Sequence, residues 1–356
     1  MSQSMYLAND MTDYEKLGID PVEVKPFEDS LRTDGSSGTW EWWYFDAHLD
    51  NGAKLVVVFY TKPNTMPHLP LSPFIRIALE LPDGRSVQKT KLFPADTFTS
   101  AKETCDVKIA DNHFKGDLHR YHIQAQIDEL SVDVTLTGQI RAWRPKSGHM
   151  YCGDKLFAWL PSVPQGEVSA NIKLGDEQFV AQGTGYHDHN WGNAPMKSLI
   201  HHWYWGRAKV GDFTVIASHI TAAEAFDYTP QTLFMLAKNG QIVADDEQAV
   251  RFSIDEIHID EATQKPVADI VKYEVVNDEH RYVITFHREK TIMASKFIDQ
   301  ATPEQRAKML EAGDDGAYLR FVGKVSIAHF VNGNQVAYAE DEALWELMYF
   351  GKALLP

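Results

Sequence analysis

From Trp40 onward, apolar and aromatic residues gather in runs of strand length, and in many of these runs they alternate with polar positions. A period of two is the mark of a strand with one buried face. WWYFDAHL and AKLVVVFYT are the first two such runs, and others fall at 74–81, 119–127, 131–140, 179–187, 203–209, 213–220, 232–237, 282–286, 321–331 and 336–349. Asn51-Gly52, Asp83-Gly84, Asn239-Gly240 and Asn332-Gly333 punctuate them. Each dipeptide is a hairpin signal, because Asn and Gly tolerate the positive φ of a type I′ turn. Many short strands without intervening helices predict a sandwich or barrel, not a parallel α/β sheet.

Helices are few. Residues 1–30 are polar and broken by Pro21 and Pro26, which predicts a short helix near 10–17 and an arm that carries little chemistry. A second helix is framed by Thr302 as N-cap, Pro303 at the first position, Gln305 completing a capping box and Gly313 as the stop. It reads as an insert or a lid. The Pro-rich stretch 62–73 cannot hold a ladder and is expected to be a loop over a barrel mouth.

At 356 residues the chain is long enough for two β domains with cores of their own. The expected division is an arm over 1–30, a first domain over 31–195 and a second over 196–356. A net charge of −16, with no Lys/Arg cluster to interrupt it, argues against nucleic acid and against an anionic membrane as partners. Two distant cysteines, Cys105 and Cys152, supply neither a zinc ribbon nor a disulfide framework. The N-terminus lacks a basic start followed by an apolar run, and no stretch reaches the length of a membrane span, so a cytoplasmic, unprocessed protein is expected.

The densest chemistry is GTGYHDHNWG, residues 183–192. In strand geometry Tyr186, Asp188 and Asn190 share one face, and His187 and His189 share the other. A carboxyl between a phenol and an amide is a candidate general acid if apolar surroundings keep it protonated near neutrality. Two rival readings stand beside it. Asp188 could be a turn-stabilising carboxylate, with Asn190 a turn residue. The imidazoles, joined by His201, His202 or His219, could bind a metal, although their spacing matches no known motif and no metal is assigned. Aromatics are abundant at 12%, with nine Trp. In HHWYWGRAKV, His201, Trp203 and Trp205 fall on one face, suited to a cavity for an apolar ligand or a developing cation, or else to ordinary core. Trp40, Trp42 and Tyr44 alternate likewise and are read as structural.

The string Gly-Tyr-His-Asp-His-Asn-Trp-Gly, with an upstream WEWWYF and the Trp-x-Pro at Trp159, resembles the carotenoid 1,2-hydratase (hydroxyneurosporene synthase) family and its lipocalin-like relatives, which include fungal Diels-Alderases. The resemblance runs in layout from about Asp34 to the C-terminus. It implies an all-β fold of two lipocalin-like antiparallel barrels side by side, with a pocket where they meet. It also implies Tyr186 and Asp188 at the reacting centre and Trp159 as an aromatic partner. In the hydratases a His stands two residues before that Trp, where this chain has Phe157, and the loss weakens hydration relative to cyclisation or isomerisation.

The expected function is an enzyme of secondary metabolism, without a cofactor, that hydrates, cyclises or isomerises a bulky polyene or terpenoid. Asp188 and Tyr186 act on the substrate, and Phe157, Trp159, Asn190, Trp203 and Trp205 hold it. The alternatives are a pericyclase, using shape and a hydrogen bond from Tyr186 or Asn190, and a non-catalytic carrier of a hydrophobic ligand.

Overall fold

The structure is a computed structural model that describes residues 4–311 and 313–354. The chain forms two units, one over residues 6–195 and one from residue 196 onward. Each is built on one antiparallel sheet, and the only α-helices among the described residues are Met11–Leu17 and Pro303–Glu311.

The first sheet runs in the order Ser86–Leu92, Phe74–Glu80, Lys54–Tyr60, Trp40–Leu49, Glu177–Gly192, Lys155–Leu174, Leu130–Gly138, Arg120–Ile127, Asn112–Gly116, Cys105–Ile109 and Phe98–Ser100. Alternation decides its inner face: Trp43, Phe45, Ala47 and Leu49 point one way and join Leu55, Val57, Phe59, Ile75 and Ile77 in a single core. The sheet curls round that core. Phe59 and Phe114 lie on strands far apart in the sheet order, yet their rings meet edge to face at 5.6 Å.

The second sheet runs Gln241–Ala244, Pro230–Lys238, Phe213–Ala222, Ile200–Val210, Asn334–Tyr349, Ala317–Val331, His280–Lys296, Pro266–Asn277 and Val250–Ile259. His219 stacks on Phe252 at 3.7 Å across it, as Phe59 meets Phe114 in the first. The two sheets share a topology. In each, a four-stranded meander comes first, and its opening strand pairs with the closing strand of a longer meander. The fold is therefore nearly all β, with lipocalin-like curled sheets.

Several local expectations hold. Asp13 accepts from the backbone N–H groups of Asn9 and Asp10 at the start of the first helix, and Gly18 ends it at φ 66°. Thr302 and Gln305 form the reciprocal capping box of the second. That helix is an exposed insert between the strands His280–Lys296 and Ala317–Val331. Residues 61–73 contain no strand. Lys62, fully buried, organises this loop by donating to the carbonyls of Gly35, Ser36, Pro67 and Leu69.

Two expectations are corrected, and one strand is added to those read from the sequence. Asn239-Gly240 and Asn332-Gly333 have the two positive φ values of a type I′ turn, but at Asn51-Gly52 and Asp83-Gly84 only the glycine does. There the Asn51 and Asp83 side chains accept from the backbone N–H two residues on, a local bond that suits a three-residue loop closed by a left-handed Gly. Secondly, the stretch with Pro161 and Pro164 lies inside the strand Lys155–Leu174. The prolines, which cannot donate to a ladder, fall where the register with Glu177–Gly192 slips, between Leu160 and Val163 and between Val163 and Gly166. Thirdly, the arm is not inert. Glu28 is buried against Arg144 at 2.8 Å, and Asp29 sits inside the first core.

No helix among the described residues is long and apolar enough to cross a membrane.

Candidate active site

The strand Glu177–Gly192 is held between Trp40–Leu49 and Lys155–Leu174, so both of its faces are fixed by ladders on either side. The alternation read from GTGYHDHNWG persists to Gly192, which corrects the expectation that Asn190 marks a turn. Its two faces have different work.

On the inner face, His187 and His189 lie in the core. His187 Nε2 is 3.1 Å from Asp29 Oδ2, and its Nδ1 bonds the Tyr44 carbonyl at 2.8 Å. His189 Nε2 is 2.7 Å from Glu41 Oε1, with its Nδ1 3.4 Å from Asp29 Oδ1. Tyr121 donates to Asp29 Oδ2, while Glu41 also accepts from the backbone N–H groups of Arg32 and Thr33. Burial alone would raise the Asp29 carboxyl, but the opposing influence of His187, His189 and Tyr121 leaves it below its usual range. This relay ties the arm to the sheet. Asp29, Cys105 and His187 place candidate ligand atoms within 4.8 Å of one another. Asp29 Oδ2 already takes two hydrogen bonds, and burial holds the Cys105 thiol well above its usual range, against thiolate ligation. The group fits a hydrogen-bonded hub better than a metal site. His201, His202 and His219 do not join these imidazoles: they lie in the second unit, with His201 Nδ1 2.7 Å from His202 Nδ1 and His219 Nδ1 2.8 Å from Thr232.

On the outer face the register lines up Tyr186, Asp188 and Asn190 with Asp46, Tyr44 and Trp42 on one neighbour, and Asn190 with Trp159 on the other. Asp188 is 7% exposed, and its carboxylate is held by side chains alone. Trp159 Nε1 and Tyr186 Oη donate to Oδ2 at 2.8 and 2.9 Å, and Asn190 Nδ2 donates to Oδ1 at 2.8 Å. Burial raises its pKa to about 6, against the lowering pull of Trp159 and Tyr186, while the Asp46 charge adds to the rise. The acid is thus poised near neutrality and not fully protonated at it. Oδ2 takes two donors and Oδ1 one, which leaves Oδ1 the freer oxygen to carry a transferable proton.

Aromatic rings surround this carboxyl. Trp159 meets Trp143 edge on at 5.8 Å, Tyr186 meets Tyr44 at 6.3 Å, Trp42 stacks on Trp40 at 4.7 Å, and Tyr60 stacks on Phe74 at 4.1 Å. Phe157 is buried on the same face, 6.1 Å from Trp40. The structure therefore gathers Tyr186, Asp188, Asn190, Trp159 and Phe157. Trp203 and Trp205 are not among the groups bonded to Asp188. They lie in the second unit, where Trp203 Nε1 donates to Glu346 at 2.9 Å. A slip in register at His201 breaks the simple alternation expected there. Sequence reasoning took Trp40, Trp42 and Tyr44 as structural and passed over Tyr60 and Arg76. Strand alternation places all five on the Asp188 face, and pairing of WEWWYF with the next two strands was the signal that could have found them.

Comparison with known proteins came to the same region. The family model described as Diels-Alderase-like matches residues 28–261. The chain is 29% identical over 210 residues to the hydroxyneurosporene dehydrogenase of Chlorobaculum tepidum, an alignment covering 48% of this chain and 53% of that protein. It is 30% identical over 67 residues to a quinolone epoxide rearrangement protein of Emericella nidulans, covering 19% and 18%. These alignments span about half, or less, of the relatives' lengths. The crystal structure of CghA shares the fold, with a TM-score of 0.63 at 11% identity over 99% of both chains.

Proposed function

Because this chain belongs to the Diels-Alderase-like family, and because its one buried outer-face carboxyl is raised to about 6 among aromatic rings, we propose that it is a natural-product enzyme in which Asp188 is the general acid. The substrate is a bulky, largely apolar molecule with an epoxide, an isolated alkene or a carbonyl. Asp188 gives up its proton from Oδ1 to that group. A C–O bond then opens or an alkene becomes a cation, and the carboxylate is left with the donors of Trp159, Tyr186 and Asn190 already in place to stabilise it. Trp159 and Tyr44 offer π faces or edges to the developing cation. Attack by water gives hydration, attack by a second alkene gives a ring, and migration of a neighbouring group gives a rearranged skeleton. In each outcome one proton is lost afterwards, from the attacking water or from the rearranged or cyclised cation, and it returns to Asp188.

The observation that carries this reading is the set of three side-chain donors on a buried carboxyl. One relative's name, tied to a quinolone epoxide rearrangement, fits acid-initiated chemistry. A pericyclic reading is favoured less, because Tyr186 spends its O–H on Asp188 and is not free to polarise a substrate. Phe157, standing where the hydratases carry an imidazole, favours rearrangement or cyclisation over hydration.

The test is turnover of a panel of polyenes and aryl epoxides followed by chromatography and mass spectrometry. Asp188→Asn is expected to lose at least a hundredfold in kcat with substrate binding retained. Turnover within a few-fold of wild type would remove Asp188 from the chemistry and leave the pericyclic reading.

A further inference from the structure

We propose that Arg76 and Tyr60 form an anion-recognising subsite on the Asp188 face, so that the substrate is an amphipathic acid: an apolar body carrying a carboxylate or an enolate-type oxygen. The inference rests on the proposed function and narrows its substrate class.

Asp188 pairs with Tyr44, Tyr44 with Val58, and Val58 with Arg76, in one row on one face of the sheet. In the adjacent row Asn190 pairs with Trp42, Trp42 with Tyr60, and Tyr60 with Phe74. Arg76 is half-buried, its Nε is buried without a hydrogen-bond partner, and no carboxylate among the described residues pairs with it. A guanidinium keeps its charge at any working pH, so a partly buried one without a counter-ion is costly unless an anion arrives. The other buried cations of the chain show the contrast. Arg144 pairs with Glu28, Lys62 is bound by carbonyls, and Lys265 is held by Asp315 and the Gly351 carbonyl.

Tyr60 supports the same end. Its hydroxyl makes no hydrogen bond to a described residue, and burial raises its pKa, with Arg76 opposing and Asp188 reinforcing the rise. It is a neutral O–H donor set in the field of both the cation and the acid. A carboxylate or enolate oxygen accepting from Arg76 and Tyr60 would satisfy both groups at once. Three strand spacings separate the backbones of Arg76 and Asp188, so the anion and the reacting atom are held about 14–15 Å apart. The subsite would act as a ruler that chooses which double bond or epoxide of a long molecule meets Asp188.

The test uses all-trans-retinoic acid and its methyl ester as probes, with binding read by quenching of tryptophan fluorescence and folding checked by thermal unfolding. Wild type is expected to bind the acid at least tenfold more tightly than the ester, since charge-assisted bonds are lost with the ester. Arg76→Met is expected to bring the ratio to about one, Arg76→Lys to keep part of it, and Tyr60→Phe to lower it severalfold. If Arg76→Met does not fold, Arg76→Gln and Tyr60→Phe carry the comparison. Asp188→Asn is expected to keep the ratio, so failure of the acid role in turnover leaves this inference intact, and the reverse. Equal binding of acid and ester by wild type, binding of neither, or a preference that survives the loss of Arg76 overturns it.

Discussion

Asp188 is governed by opposing forces of which burial is the larger: burial favours its neutral form, and its hydrogen-bond donors favour its anion. If it is the general acid, turnover falls about tenfold per pH unit above roughly 6, and a rate flat from pH 5 to 8 would contradict that role. Trp159→Phe removes a donor that stabilises the ionised form more than the neutral one, so the falling limb should move to higher pH by roughly half a unit to one unit. Stability carries the same sign. The folded-state pKa lies above the 3.8 of the free side chain, so wild type loses up to about 3 kcal/mol to this group as pH rises from about 4 to 6. Thermal unfolding of wild type against Asp188→Asn should therefore shift in favour of the Asn form across that window and level off above it. At this scale the sequence was readable wherever alternation alone decides the outcome: Tyr186, Asp188 and Asn190 do share a face. It was not readable for Tyr60 and Arg76, whose place beside Asp188 depends on pairing with strands far along the chain.

At the scale of elements, the strand Glu177–Gly192 does two jobs because its faces are chemically separate. The even-numbered positions of 186–190 make the acid site, and His187 and His189 lock the arm into the core. The loop at 61–73 is a second case of an element built round one side chain. Replacing Lys62 with Met would remove the ammonium from four carbonyls, of which those of Ser36 and Pro67 keep other donors, and about 2–4 kcal/mol of stability should go with it. Limited proteolysis should then cut first between residues 63 and 72, and a loop as resistant as wild type would contradict the assignment. The Pro-rich composition announced a loop, but a buried Lys could not be told from a surface one. At Pro161 and Pro164 the stretch was not among the runs read as strands, and two slips of register accommodate the prolines within one.

Across the whole molecule, the two units repeat one topology with little in their sequences to announce it, because a curled meander asks only for alternation and turns. What distinguishes the first unit is the polar relay in its core. Asp29 is its hub, and removing a buried charge's partner typically costs 3–5 kcal/mol. Asp29→Ala should lower the unfolding midpoint of the first unit by roughly 6–20 °C. The Asp29 carboxyl lies below its free value, so its stabilisation is present above about pH 4 and is lost as pH falls further. The difference in midpoint between wild type and Asp29→Ala should accordingly shrink under acid, and a difference independent of pH would contradict the charged relay. None of this was legible in the chain, because the polar arm, read in isolation, looks like any solvated terminus.

The most direct measurement is the titration of the Asp188 carboxyl by carbon NMR on aspartate-labelled protein, assigned by difference against Asp188→Asn. A midpoint near 6 is expected. A midpoint at or below the ordinary carboxylate range of about 4 would mean that the three donors overcome burial, and that Asp188 has no proton to give near neutral pH.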